Sequence, residues 1–212
     1  IIWIGVQKCT RKYYHFLLRI MFTGIIENLG KVEKIEKENT NAQDYYLIAL
    51  SWYQLNDCTQ ALSTSQKGLN TLKVADEALL KLQLNCHLQK DSFKAAHKTL
   101  MTLLTIAPDN QDYWAQWTYT LLKLEKTKKA LAAMETMAEQ GMLTSETLRL
   151  RFIRLLLEQD NAARAASILE TYFNTSKLDK TNENIRLLGH AWQKAGNINK
   201  AISSLEKSPS MI

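Results

Sequence analysis

At 212 residues the chain is long enough to bury a real core as one or two domains. Two prolines and seven glycines leave little turn chemistry for an all-β fold, and plentiful Leu, Ala, Lys, Gln and Glu favour helix. The net charge of +6 does not mark a nucleic-acid binder, because Lys8, Arg11, Lys12 and Arg19 place +4 of it in residues 1–20 and leave the other 192 at +2.

Residues 1–20 carry no motif and read as irregular. The apolar Ile1–Val6 precedes the basic residues, the reverse of a signal peptide's order, and no run reaches the ~18 apolar residues of a membrane span. The chain begins at Ile1 rather than Met, so it reads as a piece of a longer protein. Next comes Met21-Phe22-Thr23-Gly24-Ile25-Ile26-Glu27-Asn28-Leu29-Gly30-Lys31-Val32, with Ile35-Glu36. Residues 21–41 resemble the opening of riboflavin synthase through this motif and would be short and β-like. That family's β-barrels have no counterpart from Asn41 onward, where a helical period takes over. The resemblance therefore implies at most a catalytically incompetent fragment or a chimeric join.

From residue 42 the sequence repeats. Ala61, Ala96, Ala130, Ala165 and Ala201 follow one another at steps of 35, 34, 35 and 36. Four residues on, one helical turn away, stand Ser65, Leu100, Met134, Leu169 and Leu205. Twelve residues before the alanines stand Ala49, Leu84, Thr118, Ile153 and Gly189; Leu84 and Ile153 are large for that position. Sixteen before stand Tyr45, Leu80, Trp114, Arg149 and Ile185, and nine before stand Trp52, His87, Leu121, Leu156 and Trp192. Small residues where two helices cross, flanked by large ones, let the backbones approach. The unit resembles the tetratricopeptide repeat (TPR), and Pro108 fills the place where that repeat ends in proline.

The resemblance implies an all-α solenoid over 42–208, with hairpins at about 42–73, 77–108, 111–141, 145–175 and 182–208. Asn110, Thr144-Ser145 and the stretch from Asp179 to Asn182 offer N-caps between hairpins. No polar capping element follows the last hairpin, which again reads as a fragment.

A narrower resemblance rests on Tyr113-Trp114, Gln140-Gly141-Met142-Leu143-Thr144 with Glu146, Arg164-Ala165-Ala166, Ile168-Leu169-Glu170 and Asn182 to Leu188. Ala191-Trp192-Gln193, Lys200-Ala201-Ile202 and Leu205-Glu206-Lys207 extend it. These are similar to a TPR family encoded beside the TonB energy-transduction system. That likeness implies a periplasmic scaffold linked to TonB-system proteins and outer-membrane uptake; without it, a cytoplasmic location is the alternative.

No enzyme chemistry is expected. Cys9, Cys58 and Cys86 make an odd number without C-x-x-C spacing, and His15, His87, His97 and His190 lack acidic or Cys partners at helical spacing. No metal site or cofactor motif follows, and Trp52, Trp114, Trp117 and Trp192 read as packing residues. The binding positions of a TPR are the second, fifth, ninth and twelfth of each first helix. Here they include Tyr46, Tyr53, Lys81, Asn85, Tyr119, Arg154, Arg186 and His190. Tyr rings with Lys, Arg and Asn suit an acidic peptide or protein partner. Lys81 and Asn85 also match two positions of the carboxylate clamps of other TPR proteins; of the remaining three, Arg151 matches and Gln116 and Thr147 depart.

Overall fold

The computed structural model describes residues 42–206; the expectations for residues 1–41 and for 207–208 lie outside them. Every regular element among the described residues is a helix. The chain divides into two compact units, 1–74 and 75–212.

In the first unit, α1 (Ala42–Gln54) and α2 (Cys58–Leu72) form one hairpin. Ala49 and Ala61 are fully buried between them, and Thr71 Oγ1 donates to Tyr45 Oη at 3.4 Å. Asp57 caps α2, accepting from the backbone N–H groups of Thr59 and Gln60.

The second unit contains four hairpins. They are α3 (Glu77–Gln89) with α4 (Phe93–Ile106), and α5 (Gln111–Lys123) with α6 (Thr127–Glu139). The others are α7 (Glu146–Glu158) with α8 (Ala162–Asn174), and α9 (Asn182–Lys194) with α10 (Ile198–Leu205). Within this unit consecutive helices pack on one another. A continuous core results, centred on Leu121, Met134, Phe152, Leu156 and Leu169.

The alanine register explains the packing. Ala61, Ala96, Ala130 and Ala165 are 0% exposed and Ala201 6%. Their partners twelve residues earlier are buried as well, and the large Leu84 and Ile153 are absorbed without becoming exposed. The last hairpin differs: Gly189 lies directly under Leu205, and a Cβ on it would come within 2.7 Å of Leu205 Cγ and Cδ2.

A second feature repeats with the same steps. Asn56, Asp91, Glu125, Asp160 and Gly196, each five residues before an alanine, have positive φ between 50° and 77°. The following N–H bonds back across the helix end: Asp57 to Trp52 O, Ser92 to His87 O, Lys126 to Leu121 O, Asn161 to Leu156 O and Asn197 to Trp192 O, at 2.8–2.9 Å. This left-handed C-terminal closure satisfies carbonyls that would otherwise be orphaned. Each donor's own carbonyl then accepts the N–H of the alanine four residues on. One short turn therefore ends the first helix and starts the second. The conformation costs an L-residue about 1–2 kcal/mol, least for Asn and Asp. Glu125 is the misfit, at φ 57°. Glu125→Gly is expected to stabilise the unit by about 0.5–1 kcal/mol, read as a raised urea midpoint at unchanged m.

Between hairpins, Asn110, Ser145 and Thr181 cap α5, α7 and α9 through their side chains. Arg149, which replaces the large apolar residue of its register position, instead ties two connections together. Its guanidinium donates to Lys177 O and Thr144 O, both at 2.7 Å. Of the tryptophans, Trp192 is buried and Trp52, Trp114 and Trp117 are half-buried. The Trp114 indole donates to Pro108 O at 2.6 Å.

Candidate functional site

The first helices of the second unit reach one another through side chains. Tyr113 on α5 donates its hydroxyl to Glu77 on α3 at 2.6 Å. Arg154 on α7 pairs with Glu183 on α9 at 3.2 Å, and Asn184 on α9 donates to Glu146 on α7 at 3.2 Å. These contacts bring Lys81, Asn85, Tyr119, Arg151, Arg154, Arg186 and His190 onto successive first helices of one unit. Tyr46 and Tyr53 are half-buried on α1 in the other unit.

The seven residues are not equally available. Asn85, Arg186 and His190 are exposed, and Arg151 is half-buried. Lys81 is engaged twice: its ammonium lies 3.1 Å from the Glu77 carboxylate and 5.6 Å from the centre of the Tyr113 ring. The hydrogen bond from Tyr113, and then Lys81, hold the Glu77 carboxyl below its ordinary range, while Tyr113 and Glu77 raise Lys81. Burial foremost, then Glu77, raises the Tyr113 hydroxyl. A clamp at Lys81 would therefore have to compete with this triad. Arg154 keeps more than half of its side chain exposed despite its ion pair, so a partner carboxylate can displace Glu183 at little cost.

Tyr119 lies edge-on to Phe93 on α4, with centroids 6.2 Å apart and an interplanar angle of 75°. Lys123 stands over both rings, 5.5 Å from Tyr119 and 5.9 Å from Phe93. The result is an aromatic ledge with a cation on it, suited to an apolar side chain next to a carboxylate. Beside it on α5, Gln116 has its carbonyl oxygen buried with no hydrogen-bond partner among the described residues. Sequence reasoning missed Glu77, Glu183, Phe93 and Lys123. The Glu77–Lys81 pair was detectable from its i,i+4 spacing.

Also on α5, the Trp117 ring lies side by side and nearly coplanar with His97 of α4, at an interplanar angle of 3°, and its indole N–H donates to His97 Nδ1 at 2.9 Å. That bond needs a neutral ring. Burial, then Lys126 and Lys129, hold His97 below the ordinary imidazole value; burial, then Lys90, does the same for His87. Below the ordinary value of 6.5 the unfolded chain binds protons that the folded one resists. Stability is therefore full above that pH and falls as pH drops through it. The urea midpoint at pH 5.5 is expected below that at pH 7.5, and His97→Asn, which keeps an acceptor for Trp117, is expected to narrow the difference.

Among the described residues no cluster of three metal-ligating side chains occurs and no helix is long and apolar enough to cross a membrane. No protein-family model matches the chain, and no curated protein matches it. Solved structures do. The chain is similar to YrrB, described as a TPR protein with an unusual peptide-binding site, at 21% identity and a TM-score of 0.62, over 84% of this chain and 90% of that one. It is similar to MamA AMB-1 at 14% identity and a TM-score of 0.62, over 80% and 91% of the two chains. MamA MSR-1 matches at 13% and 0.56, over 78% and 93%. The fold is thus an α-solenoid of helical hairpins. It is of the tetratricopeptide-repeat type.

Proposed function

We propose that this chain is a non-enzymatic scaffold that binds an acidic peptide or protein segment along the first helices of residues 75–206. The observation that carries the reading is a series of aromatic and basic side chains left exposed on successive first helices: Tyr119 on α5, Arg154 on α7, and Arg186 and His190 on α9. Peptide recognition by the solved neighbour YrrB accords with this reading. By the narrower resemblance over residues 113–207, we place the partner among TonB-system proteins and the scaffold in the periplasm.

Selection of a random peptide library on the purified chain tests the reading. Enriched peptides are expected to be acidic, and to lose at least about tenfold in affinity, ~1.4 kcal/mol, against Arg154→Glu and against Tyr119→Ala. Equal binding to the parent and both variants would remove the assignment.

A further inference from the structure

A different surface, on the outer side of the second helices, departs from the rule that its own neighbours set. Five residues after the register alanine on one second helix, and one residue before it on the next, stand a matched pair of positions. Between α6 and α8 they hold Glu135 and Arg164, which form an ion pair. Between α8 and α10 they hold Glu170 and Lys200, both on Trp192: Glu170 accepts its indole N–H and Lys200 lies 4.0 Å above its ring. Between α4 and α6 the same positions hold Met101 and Lys129. The cation is present, and its acidic counterpart is replaced by a methionine that is 49% exposed.

The surroundings repeat the imbalance. Lys94 and Lys98 are exposed at i,i+4 on α4, a like-charge spacing that destabilises a helix. Lys94, Lys98, Lys126, Lys128 and Lys129 form no ion pair among the described residues. After burial, the charges of Lys126 and Lys129 also disfavour a proton on His97 of α4. Two helical turns on from Lys94, about 10 Å along the same face of α4, Met101 is exposed.

We propose that the outer face of α4 and α6 docks an acidic amphipathic helical segment of a partner protein. Its carboxylates meet Lys94, Lys98 and Lys129, and an apolar side chain covers Met101. The partner supplies from outside the carboxylate that Glu135 supplies internally one hairpin later. Bare phosphate polymers satisfy the lysines and leave Met101 in water, so the apolar position beside them favours a protein segment. This site is independent of the first-helix face.

The probe is a fluorescein-labelled helical peptide of about 18 residues with two Glu at i,i+4 and Leu residues two turns further on, titrated by anisotropy into the purified chain. Saturable binding is expected, weakening with salt. It should fall at least about tenfold with Lys94→Glu/Lys98→Glu. Met101→Glu, which restores the pairing of the neighbouring hairpin with Lys129, should weaken it similarly while leaving the melting temperature equal or higher. Arg154→Glu should leave it unchanged, which separates this surface from the one above. No binding to the parent chain, or undiminished binding to Met101→Glu, would overturn the proposal. So would tighter binding of short single-stranded DNA or of phosphatidylserine vesicles, with the same dependence on the lysines and none on Met101.

Discussion

Phe152→Ala is expected to destabilise residues 75–206 by about 3–5 kcal/mol, the largest single-residue effect in the unit. Phe152 is 1% exposed on α7 and belongs to the core that runs from Leu121 to Ala201. Ile153, Leu156 and Ala165 crowd the same region, each 0% exposed, so the vacated volume has no loose neighbour to fill it. Because α7 packs on both α6 and α8, a cavity in it weakens both interfaces. A loss of this size takes a large part of a domain's usual 5–15 kcal/mol. Urea unfolding followed by circular dichroism measures it; a loss below about 1 kcal/mol would mean that the core is not built as described.

Gly189→Val is expected to act locally and just as severely. A first side-chain carbon at this position already comes within 2.7 Å of Leu205, and the two methyls of valine would force α10 off α9. The helix has only eight residues, Ile198–Leu205, too few to persist without packing. Amide hydrogen exchange should show protection lost over 198–205 and retained over 111–174. Gly189→Ala is a milder test, because the gain of about 1 kcal/mol in helix propensity offsets part of the clash.

The alanine register was legible because a repeat writes one packing solution several times, and the solution constrains residue size where backbones meet. The left-handed turn was not legible, although it repeats with the same period. Of its five residues only Gly196 announces a positive φ; Asn56, Asp91 and Asp160 pass as ordinary polar turn residues, and Glu125 points the other way. Propensity is overridden there by the hydrogen bond that the turn makes across the helix end, which depends on backbone and not on side chain. Arg149 was hidden for a similar reason: its partners are the carbonyls of Thr144 and Lys177, which carry no side-chain signal.

The candidate site was legible as positions and not as chemistry. Register alone puts Lys81, Asn85, Tyr119, Arg154, Arg186 and His190 on the first helices. It cannot tell that Tyr113 closes over the Glu77–Lys81 pair, or that Phe93 completes the ledge around Tyr119. Those depend on contacts between helices more than ten residues apart in sequence. The mismatch of Met101 with Lys129 becomes informative only once Arg164 and Glu135 are seen to pair one hairpin later.

The most direct test of a first-helix binding face is amide chemical-shift mapping of a library-selected peptide on the isotopically labelled chain. The perturbed amides are expected along α5, α7 and α9, around Tyr119, Arg154, Arg186 and His190, with α6 and α8 unmoved. Perturbations confined to the second helices would contradict the account.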